Sequence, residues 1–284
     1  MKTIKQIPEI RNQIKEYKKK NKTIGFVPTM GYLHSGHISL VKKAAEENDI
    51  AVTSIFINPT QFGPSEDLNG YPRDLDRDLK MLKREGCNLV FSPLNKDIYE
   101  PGFETYISLK YLPGHLCGLS RPNHFSGVAT IVGKLFNIIQ PDKAYFGQKD
   151  YQQALVIKKM VRDLNFNVEI VICPIIREED GLAMSSRNIY LKFEERRDAV
   201  LLHRGLEFGV RELESGKRDI SGIILRICNM IEKSPHARID YISIVNGETL
   251  EEIENPEKYH GPVLLAGAVW FGKARLIDNS LTVI

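Results

Sequence analysis

The chain has 284 residues, 42% of them hydrophobic and 26% charged, with a formal net charge of +3. That is the make-up of a soluble globular protein, long enough for one large domain or two ordinary ones, whose core needs no disulfide or structural metal. Acids and bases are interleaved, which argues against a dedicated nucleic-acid binder, and no apolar stretch approaches the length of a membrane span. The four cysteines, Cys87, Cys117, Cys173 and Cys228, are far apart and form no pair at zinc-finger spacing. No secretory apolar segment opens the chain, so they read as reduced thiols in a cytoplasmic protein.

From Lys5 to Tyr17, apolar Ile7, Ile10, Ile14 and Tyr17 recur at helical spacing, with Pro8 tolerable in a first turn. "TIGFVPT" then predicts a buried strand closed by Pro28, and His37 to Glu47 a helix with Leu40, Val41, Ala44 and Ala45 on its apolar side. "IAVTSIFI" is a second strand, rich in β-branched residues. A helix over Leu75 to Lys83 and the strand "NLVFS" follow. Next come an apolar helix from Phe125 to Ile139, the strand "KAYFG", a helix from Tyr151 to Leu164 and the strand "NVEIVIC". Strands alternating with helices imply an α/β fold with a parallel sheet, and their continuous apolar character fits a sheet covered on both faces. Beyond Pro174 the texture changes: 193–233 is helical and charged, and "IDYISIV" and "PVLLAGAVWFG" read as strands. The expectation is a Rossmann-like domain over 1–175 with helices on both faces, and a smaller C-terminal α+β domain over 176–284 that covers the active site.

Ligands bind outside the carboxyl ends of the strands in an open parallel sheet. The unusual residues follow the predicted strands: Thr29, Met30, Gly31, His34, Gly36 and His37 after the first, Asn58, Pro59, Gln61 and Phe62 after the second. Gln148, Lys149, Asp150 and Gln153 come after "KAYFG", and Ser185, Ser186 and Arg187 after the last strand of the larger domain. One crevice is the economical explanation of four such turns. His34 and His37 admit three readings: a polar helix start, a zinc pair, or donors to phosphate at a glycine-spaced strand-to-helix turn. Zinc would want further ligands nearby, and Gly36 between the histidines allows a ligand close to the backbone, which favours a nucleotide over zinc. "GQKD" also reads as a loop with Asp150 as a helix cap; functionally, Lys149 would neutralise phosphate and Asp150 accept from a ribose hydroxyl. "GLAMSSRN" suits a mobile loop closing on phosphates as well as it suits a glycine turn and a surface cap. Gln61 and Gln153 could orient a small hydroxylated substrate without adding charge. Arg121 and His124, before the long helix, form either an anion site or a structural helix entry.

The blocks "PTMGYLHSGH", "INPTQFG", "RPNHFSGVATIV", "FGQKDYQQ" and "REEDGLAMSSRNIYL", with the closing "LLAGAVWFGKARLIDN", resemble the pantothenate synthetase (pantoate–β-alanine ligase) family in order and spacing over nearly the whole chain. "HSGH" is similar to the HxGH turn of the wider nucleotidylyltransferase superfamily, and "MSSR" to its second phosphate loop. The resemblance implies an ATP-dependent condensation of D-pantoate with β-alanine, giving pantothenate, AMP and pyrophosphate through a pantoyl adenylate. It implies an ATP site of Met30, Gly31, Tyr32, Leu33, His34, Ser35, Gly36, His37, Gly147, Gln148, Lys149, Asp150, Ile176, Met184, Ser185, Ser186 and Arg187. His34 and His37 would face the phosphates, with the family's proton donor at His37, and Lys149 would stabilise the pentavalent phosphorus. Gln61 and Gln153 would hold pantoate, with Asn58, Tyr71, Arg121 and His124 in support. No protein metal site is implied; Mg²⁺ would be held mainly by ATP phosphates. A homodimer with no nucleic-acid or membrane partner is the family's usual form. The sequence departs from the family pattern at Tyr32 and Ser35, at Asn123 in place of a common glycine, and at Asn246-Gly247 in place of Asp-Pro.

Three rivals stand beside this assignment. Another nucleotidyl transferase acting on a phosphorylated substrate would want more cations in the pocket than Gln61 and Gln153 supply. A synthetase-derived RNA-binding module would show lost phosphate ligands and a basic face. A zinc hydrolase would carry bound metal.

Overall fold

The computed structural model describes residues 1–64 and 66–284. Along the chain lie β1 (Lys2–Ile4), α1 (Ile7–Lys19), β2 (Ile24–Thr29), α2 (Ser35–Glu47), β3 (Ile50–Ile55), α3 (Leu75–Arg84), β4 (Leu89–Phe91), α4 (Asn95–Ile98), α5 (Cys117–Ser120), α6 (His124–Ile139), β5 (Lys143–Gly147), α7 (Tyr151–Asp163) and β6 (Glu169–Cys173). There follow α8 (Phe193–Asp198), α9 (Val200–Glu214), α10 (Ile220–Ile231), β7 (Ala237–Asn246), β8 (Pro262–Phe271) and β9 (Ala274–Val283). The chain divides into two compact units: Met1–Lys110, Arg121–Gln148 and Gln153–Pro174 form one, Tyr111–Ser120, Lys149–Gln152 and Ile175–Ile284 the other. Tyr111–Ser120 and Lys149–Gln152 thus belong with the C-terminal residues, although they precede the boundary expected near residue 175.

In the first unit six parallel strands pair in the order β1-β4-β3-β2-β5-β6. Strand order reverses between β2 and β5, which makes their carboxyl ends the switch point where such sheets take ligands. Successive strand residues face opposite sides, and β2 uses both: Phe26 meets Phe136 of α6 edge-to-face, while Val27 joins Leu40, Val41 and Leu82 from α2 and α3. The sheet is therefore covered on both faces, as its unbroken apolar strands require.

Two local expectations change. Pro28 does not close β2; the strand runs on to Thr29, with Pro28 opposite Ser54 of β3. The ladder to β5 reaches only Gly25 and Phe26, so the missing N–H of proline falls where that side is no longer paired. β1 was not anticipated: it has three residues and only Ile4 is buried, too short for any periodicity.

In the second unit β7, β8 and β9 form an antiparallel sheet, with Asp278 of β9 opposite Gly267 and Asn279 opposite Ala266 of β8. α9 and α10 pack on it through Leu202, Leu206, Ile223, Ile227 and Ile231, against Ile244, Val263, Leu265 and Val269. The charged helical segment 193–233 resolves into three helices: the apolar stripes of α9 and α10 face this core, while α8 buries only Glu195 and leaves Phe193 exposed. All four cysteines are free thiols. Among the described residues no helix is long and apolar enough to cross a membrane.

Candidate active site

The turn between β2 and α2 reverses the chain through two left-handed residues, Gly31 at φ 83° and Tyr32 at φ 50°. A non-glycine residue there is unfavourable unless something fixes it. Asp78 of α3, 1% exposed, accepts from the backbone N–H of Tyr32 at 2.7 Å and of Leu33 at 2.8 Å. Each such bond to a carboxylate contributes on the order of 1.5–3 kcal/mol. Burial nonetheless raises the Asp78 pKa, against the pull of the two amides. The Arg77 guanidinium donates to the Leu33 carbonyl at 2.9 Å and lies over the Tyr32 ring.

His34 and His37 then open α2 as a reciprocal cap. His34 Nδ1 accepts from Gly36 N–H at 3.2 Å, and His37 Nδ1 accepts from His34 N–H at 3.4 Å. Two acceptor Nδ1 atoms assign the proton of each neutral ring to Nε2, which makes both imidazoles donors on their far side. The rings stand 4.0 Å apart between centroids. They sit where α2 presents unsatisfied N–H groups and the positive end of its dipole. Among the described residues no group of three or more His, Cys, Asp and Glu could hold a metal ion.

After β3, Asn58 is 1% exposed and its amide donates to Gln61 Oε1 and to the carbonyl of Gly127. Asn58 Oδ1 accepts from Tyr99 and Thr60 hydroxyls. Gln61 Nε2 donates to Met30 Sδ at 3.2 Å, which joins this turn to the turn after β2. α6 packs directly on the Pro59–Gln61 turn because Gly127 has no side chain; a Cβ there would collide with the Thr60 carbonyl oxygen. Arg121 is committed to a bidentate pair with Glu66, at 2.8 and 2.5 Å. Glu66 stays below its usual range because Arg121 outweighs the effect of burial. His124 contacts the Gln61 carbonyl through Nδ1 at 2.9 Å and Arg121 through Nε2 at 3.1 Å. Tyr71 is buried, edge-on to Phe62. Asn123 takes φ 53°, the left-handed region that glycine and asparagine tolerate, which explains how it can replace the glycine common in the resembled family.

The first unit therefore brings Met30 to His37, Asn58, Gln61, Arg121 and His124 into one connected set, with Gly147 ending the neighbouring β5 and Gln148 following it. Gln153 is half-buried on α7; among the described residues it shares none of the hydrogen bonds above. In the second unit lie Lys149, Asp150, Ile176 and Met184 to Arg187. Ile176 accepts from Met184 N–H at 3.0 Å, so the segment folds back on itself as a hairpin through Gly181. Ser185 Oγ caps the following 3-10 turn by accepting from Arg187 N–H, and Ser186 is buried. Arg196 holds the hairpin through Glu178 at 2.6 Å and Asp180 at 2.7 Å. The Lys149 amine is desolvated, which lowers its pKa; Arg187 adds to the effect while Asp150 and Asp278 oppose it.

Residues absent from the sequence expectation hold these groups in place: Asp78, Tyr99, Glu66, Gly127 and Gln152. Gln152, not Gln153, is the buried amide of its pair; it donates to the Leu112 and His115 carbonyls and accepts from Cys117 N–H. Asp78 had a signal: it occupies the same helix stripe as Leu79 and Leu82, where an apolar residue is expected.

Residues 2–281 match the family model described as pantoate-beta-alanine ligase. A pantothenate synthetase of Caldicellulosiruptor bescii is 53% identical over 279 residues, 98% of each chain. One of Thermotoga petrophila is 51% identical over 281 residues, 99% of each. The crystal structure of pantothenate synthetase from Thermus thermophilus superimposes with a TM-score of 0.92 at 43% identity, over 99% of both chains. The pantoate-beta-alanine ligase of Francisella tularensis, complexed with beta-gamma ATP and beta-alanine, aligns with a TM-score of 0.81 at 36% identity, over 99% of this chain and 97% of that one.

Proposed function

The chain belongs to the pantoate–β-alanine ligase family, and from that premise we propose that it joins D-pantoate to β-alanine with ATP in two half-reactions. The pantoate carboxylate attacks the α-phosphorus of ATP, giving pantoyl adenylate and pyrophosphate. The β-alanine amine then attacks the acyl carbon and releases AMP and pantothenate. Adenylation is needed because oxide is a poor leaving group from a carboxylate, whereas AMP is a good one. The protein's part is positioning and charge stabilisation.

The observation that carries this reading is the reciprocal cap of His34 and His37. Both rings hold an acceptor Nδ1 against the backbone, so Nε2–H points away as a donor at a helix N-terminus. That is an arrangement for anionic oxygens rather than for zinc, which would need further ligands. His34 and His37 are read as phosphate donors, with His37 giving the proton. Met30 through His37, with Gly147 and Gln148, are read as nucleotide contacts. Lys149 is read as the charge that meets the developing pentavalent phosphorus; anionic phosphate would oppose the lowering that burial imposes on its amine. Asp150, Ile176, Met184, Ser185, Ser186 and Arg187 are assigned to the nucleotide as well. Gln61, with the weak acceptor Met30 Sδ as its present partner, can exchange that contact for a pantoate hydroxyl. Asn58 fixes Gln61, and Gln153 is kept as a second pantoate contact. Arg121 and His124 orient the Gln61 backbone, and Tyr71 packs behind the same turn.

Mg²⁺ belongs to the proposal as an ion held by ATP phosphates. The donor set fits that role: Asp78 has both oxygens committed to backbone amides, and the described residues include no group of three or more His, Cys, Asp and Glu placed to hold a metal. The ion would supply charge neutralisation on the triphosphate. A cytoplasmic setting and a homodimer complete the proposal, the latter predicting sedimentation at twice the chain mass.

The test is to supply ATP, Mg²⁺ and D-pantoate without β-alanine. A stoichiometric burst of pyrophosphate that becomes steady turnover on adding β-alanine is expected. Folded protein that binds ATP yet releases no pyrophosphate would sink the assignment to pantoate.

A further inference from the structure

We propose that Asp278 and Asn279 of β9 are positioning residues, which fix Lys149 and the Gly181–Arg187 hairpin relative to each other for phosphoryl transfer. This rests on the assignment of Lys149 to the phosphorus.

An unbroken chain of hydrogen bonds joins the two segments within the second unit. Arg177 donates to the Gly181 carbonyl at 3.0 Å and forms a bidentate pair with Asp278, at 2.7 and 3.0 Å. Asp278 Oδ1 also accepts from Asn279 N–H at 2.8 Å, and Asn279 Nδ2 donates to the Lys149 carbonyl at 2.9 Å. Asp278 and Asn279 are each 4% exposed. They are consecutive on a strand that otherwise alternates between buried and half-buried residues from Ala274 to Asp278. Consecutive residues face opposite sides of the sheet, so two buried polar groups in a row serve two different neighbours. Asp278 reaches the hairpin through Arg177, and Asn279 reaches the Lys149 carbonyl.

A buried ion pair is weak ground for stability, because desolvation offsets most of its attraction and apolar replacements are often neutral or better. What an Asp–Arg pair and an Asn supply that leucines would not is direction. Both ends of this chain terminate on main-chain carbonyls, and both carbonyls belong to segments whose side chains are assigned to phosphate. The hairpin end is also sterically defined. Gly181 takes φ 99°, and a Cβ there would collide with His203 Cδ2, so the loop is seated on the imidazole. Among the described residues His203 Nδ1 has no hydrogen-bond partner, and it stands 3.8 Å from Asp278 Oδ2. The carboxylate hydrogen-bonds Arg177 and the Asn279 N–H rather than the imidazole. Mid-strand placement in a three-stranded ladder gives the pair a rigid base.

The test compares Asn279→Ala and Asn279→Asp with Lys149→Ala, reading pyrophosphate formation, the KM values of ATP and pantoate, and the thermal midpoint. Aspartate has the size of asparagine but offers an acceptor where the Lys149 carbonyl needs a donor, so a directional role is read in the kcat of the folded variants and a merely packing role in the thermal midpoint alone. Both Asn279 variants are expected to lower kcat for pyrophosphate formation by about thirty- to a hundredfold, the scale of a misplacement of about 1 Å, with both KM values within about twofold. The thermal midpoint is expected to fall in both, because a 4% exposed site loses its hydrogen bond and the aspartate adds a buried charge beside Asp278, so rates are compared where each variant is folded. Asn279→Asp at the unaltered rate, or a loss confined to the thermal midpoint, would overturn the proposal. Lys149→Ala at the unaltered rate would instead overturn the role of Lys149. A slow Lys149→Ala beside a fast Asn279→Asp separates the two failures.

Discussion

The two units hold their functional groups by different means. In the first, the groups assigned to the phosphates lie close along the chain and the backbone carries them: a glycine turn, a helix N-terminus and two histidines that cap it, all within Met30 to His37. In the second, the holding bonds are long in sequence. Arg177 and Asp278 are 101 residues apart, and Asn279 and Lys149 are 130 apart. A local turn is specified mainly by adjacent residues, and a distant one such as Asp78, 46 residues from Tyr32, braces it without deciding which groups it presents. A long-range polar chain fixes segments that have no local reason to be where they are, and it fails when any one member is lost.

The sharpest way to strain this comparison is at His37. Replacement by alanine removes the assigned proton donor but leaves His34 as the cap of α2, so the helix should survive. Single-turnover pyrophosphate release is expected to fall by about a hundredfold or more, the usual range for a lost general acid. A fall of less than about fivefold would move proton donation elsewhere.

Gly127→Ala probes the first unit from behind. Its methyl would collide with the Thr60 carbonyl and the Gln61 N–H, which are backbone and cannot rotate away. The Pro59–Gln61 turn must then shift, raising the pantoate KM by about tenfold and costing about 1–3 kcal/mol in urea unfolding. An unchanged KM would show that this turn does not orient the substrate.

Asp78→Asn is expected to act on stability more than on rate. One of the Tyr32 and Leu33 amides would face an NH₂ group instead of an oxygen, at a cost of about 1–3 kcal/mol for the unsatisfied donor. Thermal or urea denaturation reads it directly, and a neutral result would mean that the left-handed Tyr32 needs no such support.

The smallest effect concerns His203 in the second unit. Burial, with help from Arg177, holds its pKa below the ordinary 6.5, against Asp278 and Glu207; Arg204 on its own helix lowers it further. The unfolded chain takes up the proton near 6.5 and the folded one only at lower pH. Stability from the neutral ring is therefore complete above that interval and is lost as pH falls through it. His203→Gln should flatten the slope of unfolding free energy just below pH 6.5, measured by urea titration at successive pH values. An unaltered slope would place the titration elsewhere.

The same contrast explains what was legible in the sequence. The strands and helices of the first unit could be read because their apolar runs are long, and β1 could not because three residues carry no period. The glycine and histidine turn was visible as a pattern, though its reciprocal cap needed the hydrogen bonds to His34 and His37 Nδ1. Arg121 could be found as a cation, but not its commitment to Glu66. Asp78 betrayed itself only by sitting on an apolar stripe. Asp278 and Asn279 lie in a strand within a block already noted for its resemblance, yet nothing near them in sequence indicates Arg177 or Lys149. Partners more than a hundred residues away are decided by tertiary packing, which a single chain does not spell out.

The central claim is that pantoate is activated as its adenylate, and isotope transfer tests it most directly. Turnover with D-pantoate labelled with oxygen-18 in its carboxylate should deliver one labelled oxygen to the phosphate of AMP, because the attacking carboxylate oxygen remains on phosphorus when the amine displaces it. AMP free of label from a reaction that still makes pantothenate would contradict the account.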